Sequence, residues 1–381
     1  MFNVENSVKD RLNTWKKGAS SVWHSECPGM AWLCIRRTDP GARRNVWTYR
    51  FVMRSSYDLY ICNSMSFLSL HIPIAQLNLA AVLKCGQSFR WSCLRLPITE
   101  NGPTHEYRFC LRDRVICLRQ ASDTLFYRAV FPEPQPLAGQ LAQRDAETLA
   151  WLRDYFQLDT DLVSLYEQWS GRDKVFARFR DRFMGIRMIR QDPWENVVSY
   201  VSLCLLCSSH RLFRFICSSN NNISRITKMV RGLCDHYSPP LLSLADPENP
   251  NLSYPYHPFP PPSILAQPDV SDTLRTLGFG YRAAFIQRTA EFLVSSYGSD
   301  TLPDDPSEAA ERWLRGLRRV STTEAREALL KLTGVGRKVA DCILLMSLDK
   351  VCNFNLKGLL EMMPCQRKKL FLWTPTCIAL L

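Results

Sequence analysis

The apolar residues of this chain change period near residue 145, and that change sets the fold class. Between 72 and 131, the runs Phe89-Arg90-Trp91, Tyr107-Arg108-Phe109-Cys110-Leu111, Val115-Ile116-Cys117-Leu118 and Leu125–Phe131 alternate or cluster as strands do. Pro132, Pro134 and Pro136 then end the strand-rich stretch, because proline cannot donate to a sheet ladder. Beyond it the spacing becomes helical. Leu149, Leu152, Tyr155 and Phe156, then Leu162, Leu165, Tyr166 and Trp169, fall at i, i+3, i+4. Asp192-Pro193-Trp194-Glu195 predicts a helix start, with Asp as cap, Pro at the first helical position and Glu three residues after the cap. Further helices are predicted over Leu274–Leu277, Ala283–Tyr297, Glu308–Val320 and Glu324–Leu332. Asp246–Pro262 holds seven prolines and predicts an irregular loop. Strands followed by helices make an α+β chain, with a β-rich domain at 72–145 and a helical domain at 146–350. Residues 1–71 have no steady period and are expected to be poorly ordered, and the pattern degrades again over 351–381.

The chain of 381 residues carries a net charge of +12, unevenly. Residues 1–70 have ten Lys/Arg against five Asp/Glu, and 351–381 have four against one. The middle, 71–350, is left only +4, so charge alone argues weakly for nucleic acid. Fifteen cysteines sit mostly in apolar runs, as small hydrophobes in a reducing compartment do. The late cysteines Cys342, Cys352, Cys365 and Cys377 are ten or more residues apart, with no C-x-x-C pair among them, so neither a metal nor an iron–sulfur cofactor is expected. No run of about 18 apolar residues occurs, so no membrane partner is expected either. The start lacks a signal-peptide core, and its Asp and Glu weaken a mitochondrial leader.

The segment richest in chemistry is Leu332-Thr333-Gly334-Val335-Gly336-Arg337-Lys338-Val339-Ala340-Asp341-Cys342. A helix opened by the capping box Ser321-Thr322-Thr323-Glu324 ends in a glycine turn, and a second helix starts at once. Glycines at 334 and 336 allow a tight turn and close approach of another chain, and free N–H groups at the new helix start can hold a phosphate. This is a helix–hairpin–helix, which grips a DNA backbone without reading sequence. An ordinary helix–turn–helix connection is the alternative. Lys338, at the start of the second helix, sits where the helix dipole disfavours its charge, and burial would add to that. A neutral amine there can attack an electrophilic carbon and form a Schiff base. A solvated lysine holding a phosphate is the alternative.

The segment resembles the catalytic hairpin of the 8-oxoguanine DNA glycosylases, within the helix–hairpin–helix DNA glycosylase superfamily. Gly86-Gln87-Ser88-Phe89-Arg90-Trp91, Tyr155–Asp159, Ile189–Pro193, Phe215–Ile223 and Leu277–Ala283 resemble other family motifs in order, over roughly 72–350. The resemblance implies an antiparallel, TBP-like β-domain packed on a helical helix–hairpin–helix domain. It also implies a base-flipping repair enzyme whose partner is double-stranded DNA containing 8-oxoguanine. In that reading Lys338 is the nucleophile of a bifunctional glycosylase and abasic-site lyase, acting on lesions opposite cytosine. Gly86, Cys342 and Met346 recognise the extruded base. Asn220, Arg225, Tyr281, Arg282, Gly334, Val335 and Gly336 bind DNA. In isolation, three consecutive asparagines read as a polar turn or cap, and Tyr281-Arg282 as a surface pair. A monomer in the nucleus is expected, with the mitochondrion as the other compartment.

Three departures accompany the resemblance. The family follows the lysine helix with a Pro-Val-Asp segment whose carboxylate assists the nucleophile. Here Asp349-Lys350 leads into Val351-Cys352-Asn353, and no Asp follows 349. Val198–Arg214 interrupts the match, adding about 17 residues, roughly 25 Å if helical. Residues 1–70 and 351–381 match nothing in the family. Both ends and the insert are expected to stem from alternative splicing or an imperfect gene model. A catalytically impaired DNA-binding isoform lacking the catalytic Asp is therefore the rival reading, and a glycosylase for another lesion is a third.

Overall fold

The computed structural model describes residues 66–98, 102–203, 219–298 and 307–350, with two short strands nearer the start. Those strands, β1 (Ser21–His24) and β2 (Trp32–Ile35), pair antiparallel within a unit that ends at Ser66. Both strands fall within the segment expected to be poorly ordered. The rest of 1–65, and all of 351–381, lie outside the described residues.

The second unit starts at Phe67 and contains a five-stranded antiparallel sheet. Its strands are β3 (Leu68–His71), β4 (Ser92–Arg95), β5 (His105–Cys110), β6 (Val115–Gln120) and β7 (Thr124–Val130). They lie in the order β3-β7-β6-β5-β4. Leu68–His71 is therefore an edge strand, paired Leu68 to Tyr127 and His71 to Thr124, although the sequence pattern placed it outside the β-domain. A four-residue edge strand is too short to show alternation of its own. The one-turn helix α1 (Leu79–Val82) lies between β3 and β4.

The central strands are covered on both faces, which explains why they read as apolar runs. Tyr107, Phe109, Ile116 and Leu118 face one core, shared with Leu152, Tyr155 and Phe156. Cys110, Val115 and Cys117 face the other way, onto Tyr256. On that second face Glu106 is fully buried between Arg108 and Arg119, each at 2.5 Å, so the charge is paired on both sides. Arg108 continues to the Ala245 carbonyl at 2.9 Å.

Helices then follow in chain order. They are α2 (Ala138–Tyr155), α3 (Leu162–Arg172), α4 (Lys174–Ala177), α5 (Pro193–Leu203) and α6 (Ser219–Tyr237). A second hairpin, β8 (Leu242–Ala245) with β9 (Ser253–Tyr256), comes next. The proline-rich stretch is thus not wholly irregular. Pro255 is tolerated because a two-stranded ribbon leaves N–H positions that need no partner. The chain ends its described part with α7 (Pro262–Leu265), α8 (Val270–Thr276), α9 (Arg282–Tyr297), α10 (Ala309–Gly316), α11 (Thr322–Leu330) and α12 (Arg337–Ser347). These helices bury one apolar core, from Trp194 and Val230 to Leu344.

Residues 86–91 tie the sheet to the helices. Phe89-Arg90-Trp91 is not a strand, contrary to its pattern, because its side chains serve two cores. Phe89 packs in the helical core and Trp91 in the sheet core. Gln87 is fully buried, donating to the Arg187 carbonyl at 3.0 Å and accepting from the Ile189 N–H at 3.0 Å. Arg90 pairs with Glu195 at 3.0 Å, both side chains 7% exposed. Glu195 is thus spent on an ion pair rather than on the capping box its spacing predicts. Asp192 does cap α5, accepting from Trp194 and Glu195 N–H groups at 2.9 and 3.1 Å.

The insert begins as core. Val198, Tyr200 and Val201 are buried in α5, so its first residues continue the helix rather than loop out. Residues 204–218 lie outside the described residues.

Burial also sets one pH response. Glu311, on α10, is 4% exposed and pairs with Arg112. Burial pushes its carboxyl up from an ordinary 4.5 to about 7; Arg112 pulls it back, while Asp192 and Glu308 add to the rise. The folded protein therefore holds this proton more tightly than the unfolded chain. The resulting stability is fully present below about pH 4.5 and is lost as pH rises through about 7. Melting followed from pH 5 to pH 8 is expected to show this decline, worth on the order of 3 kcal/mol. Glu311→Gln, which cannot titrate, is expected to flatten it.

Candidate active site

The hairpin forms where its glycines place it. Gly334 has φ +84, and a Cβ there would meet the Phe285 side chain at 2.8–3.0 Å. Val335 closes the turn, its N–H donating to the Leu332 carbonyl at 3.1 Å. Gly336 differs. It caps α12 with φ −85 and ψ 174, extended backbone open to any residue, and nothing lies within 4 Å of its missing Cβ. The turn thus needs the first glycine, while the second leaves open space before the start of α12. Gly336 supplies no side-chain cap, so the first N–H groups of α12 have no side-chain acceptor from the cap position.

One face of α12 descends from solvent into the core. Lys338 is exposed, Cys342 half-buried and Met346 only 2% exposed, at i, i+4 and i+8. Lys338 is not buried, because it sits in the first turn, ahead of the packed part of the helix. Met346 is a core residue. Its sulfur takes the Tyr200 hydroxyl and lies 3.9 Å from the Gln191 amide. Val335 is likewise buried, so only its backbone is placed to meet another chain. Burial raises the Tyr200 phenol well above its ordinary value, and the Cys342 and Cys85 thiols act in the same direction. Tyr200 therefore brings Cys342 and Met346 together with the segment that carries Gly86.

Gly86 has φ +87, and a Cβ there would press on Ile223 at 3.1 Å. Ile223 lies on α6, three residues after Asn220 and two before Arg225, which is exposed. Asn220 lies in the first turn of α6, and its side chain lies outside the described residues. Tyr281 and Arg282 open α9. Tyr281 is 53% exposed, edge-on to Phe285 at 5.7 Å, with the Arg282 guanidinium 5.6 Å from its ring. Phe285 is also the residue beneath Gly334, and Thr289 donates to the Thr333 carbonyl at 2.9 Å. The hairpin and the Tyr281-Arg282 pair are therefore neighbours. Phe285, Ile223 and Tyr200 connect the predicted residues; of the three only Ile223 lies in a motif, at the end of Phe215–Ile223.

The two aspartates nearest the lysine helix are engaged elsewhere. Asp341 pairs with Arg326 at 2.7 Å, and Asp349 with Arg190 at 2.8 Å.

Comparison with known proteins gives this geometry a relationship. Residues 69–197 match the family described as "8-oxoguanine DNA glycosylase, N-terminal domain". The N-glycosylase/DNA lyase of Saccharomyces cerevisiae is 34% identical over 287 residues, 75% of this chain and 66% of the yeast protein. Residues 69–197 therefore carry an 8-oxoguanine DNA glycosylase N-terminal domain. The N-glycosylase/DNA lyase OGG1 of Arabidopsis thaliana is 31% identical over 294 residues, 77% of this chain and 66% of that protein. The chain thus spans just under two thirds of either glycosylase relative. Among solved structures, MBOgg1 in complex with a low-affinity DNA ligand is 25% identical, with a TM-score of 0.53 over 83% of this chain and 93% of that one. An 8-oxoguanine glycosylase/lyase from Clostridium acetobutylicum, bound to DNA with cytosine opposite 8-oxoG, shares the fold at 20% identity and a TM-score of 0.55. It too is covered over 93% of its length, and over 83% of this chain. The family match ends at Val197, next to the insert that opens at Val198.

The two hairpin glycines are expected to respond differently to a methyl group. Gly334→Ala forces both a left-handed backbone and a clash with Phe285, costing about 2–4 kcal/mol. Gly336→Ala is expected to cost under about 1 kcal/mol. Urea unfolding of both variants measures the contrast.

Proposed function

We propose that this chain removes 8-oxoguanine opposite cytosine in duplex DNA and then cleaves the abasic strand through a lysine Schiff base. The observation that carries the reading is the place of Lys338. It stands in the first turn of α12, directly after the open Gly336, on the face that continues to Cys342. A phosphate held at the start of α12 would bring the neighbouring deoxyribose to the amine. Exposure suits that task, since a lysine that attacks a sugar delivered by a partner must be reachable from outside.

In the proposed reaction the Lys338 amine, in its neutral form, attacks C1′. The bond from C1′ to the base breaks, and the base leaves with that electron pair and takes up a proton. The amine loses its proton, the sugar ring opens, and an iminium forms between Nζ and C1′. Loss of a C2′ proton then expels the 3′ phosphate. Gly86, Cys342 and Met346 are proposed to surround the base, the last from its buried position. Asn220, Arg225, Tyr281 and Arg282 are proposed to hold the opposite strand. The proposal includes a monomer acting in the nucleus.

One observation favours the rival, a DNA-binding isoform without chemistry. Asp341 and Asp349, the carboxylates nearest Lys338 in sequence, are tied to Arg326 and Arg190. Loss of the family's carboxylate, which steadies the developing positive charge on the sugar, typically costs a factor of about 10² or more.

Borohydride trapping on a duplex bearing 8-oxoguanine opposite cytosine separates the two. The expected result is a covalent adduct that Lys338→Gln abolishes. Saturable duplex binding with no adduct at long times would establish the rival.

A further inference from the structure

A cleft of about 270 Å³ lies where the sheet, α2, α5 and α10 meet, away from Lys338. Its wall includes Trp151, Tyr155 and Phe109 on the sheet side, and Arg90, Arg318 and Glu311 on the helical side. No step of the proposed reaction uses it.

Three features mark it as a binding site. First, Arg90 is buried, yet its Nε has no hydrogen-bond partner. Its other nitrogens are spent on Glu195 at 3.0 Å and on the Cys110 carbonyl at 3.0 Å. Buried donors are normally satisfied, so this one marks the wall as incomplete. Second, Arg318 is a largely buried guanidinium whose hydrogen bonds go to carbonyl oxygens, Ser347 at 2.7 Å and Gln191 at 3.3 Å, and not to a carboxylate. Burial lowers its pKa, while Asp349, Asp154 and Asp192 act to raise it. The lining acids are committed elsewhere. Glu195 holds Arg90, Glu311 holds Arg112, Asp154 holds Arg190, and Asp192 caps α5. Three of the five lining arginines, Arg90, Arg112 and Arg190, are thus paired with carboxylates, whereas Arg318 is bonded to carbonyl oxygens. Third, the opposite wall is aromatic. Trp151 is half-buried and stacks on Tyr155 at 4.7 Å, and its uncovered part offers a ring surface beside the charges.

We propose that this cleft binds a small planar organic anion of the nucleoside monophosphate class, its ring against Trp151 and its charged group at Arg318 and Arg90. The volume suits one such molecule and is too small for a strand. The site is separate from the proposed repair chemistry, and its test reads binding rather than base excision.

Calorimetric titration of the full chain with adenosine 5′-monophosphate is expected to show saturable binding of one equivalent. Adenosine, lacking the charge, is expected to bind at least tenfold more weakly, as is the nucleotide to Arg318→Met. Trp151→Leu keeps every charge in place, so it carries the test should Arg318→Met fail to fold; it is also expected to weaken binding about tenfold. An undamaged DNA duplex is the second arm. Unchanged nucleotide affinity with duplex present supports a separate site. Displacement by duplex would show that the phosphate recognised belongs to DNA and would overturn the proposal. So would inorganic sulfate binding as tightly as the nucleotide, or affinities untouched by both substitutions.

Discussion

The buried pair of Arg90 and Glu195 holds the two halves of the second unit together, and much of the site's position follows from it. The two charges lie 3.0 Å apart with almost no water contact. Burial pushes the Glu195 carboxyl up, and the Arg90 guanidinium beside it pulls it back. Either residue without the other would leave an uncompensated charge between two apolar cores, which typically costs about 3–5 kcal/mol. The pair therefore makes the docking of sheet on helices specific. Gln87 adds the same kind of constraint through backbone groups at 187 and 189. With both in place, Gly86 is pressed onto Ile223 of α6, and the early loop of the sheet domain becomes part of a helical site.

The helical half contributes through α12. Its one face runs from an exposed amine through a half-buried thiol to a buried thioether. That gradient exists because the helix starts at a solvent-exposed turn and ends in the core beside Tyr200 and Gln191. A reactive group near the helix start thus stays accessible while the same face is held rigid further along. The hairpin is held from below by Phe285 and Thr289 of α9, whose own start carries Tyr281 and Arg282. The elements proposed to grip DNA are mechanically one piece.

Much of this was legible in the order of residues. The period change near 145 marks the α+β architecture, since side-chain alternation and helical spacing are local properties. The capping box at Ser321 and Glu324 is present as read, with reciprocal hydrogen bonds at 3.2 and 2.9 Å. The glycine turn is also where its spacing put it. Phe89–Trp91 was misleading because two buried aromatics flanking an arginine look like a strand, and only the existence of two cores shows otherwise. Glu195 has the spacing of a capping residue, but an arginine 105 positions earlier claims it. Leu68–His71 was too short to register, and Ser253–Tyr256 was hidden by its prolines.

The order of residues sets the chemistry available: an amine after a glycine turn, a thiol one helical turn beyond it, and the motifs that resemble those of 8-oxoguanine DNA glycosylases. Those depend on spacing within a single helix or turn, where neighbours in sequence are neighbours in space. Tertiary structure alone decided how exposed that amine is, which carboxylates were already claimed by arginines, and which side chains join Gly86 to the α6 helix. It also decided that residues 198, 200 and 201 of the insert are core. Each of these is set by contacts between residues far apart in the chain, and a burial or a charge pair of that kind leaves no periodic trace.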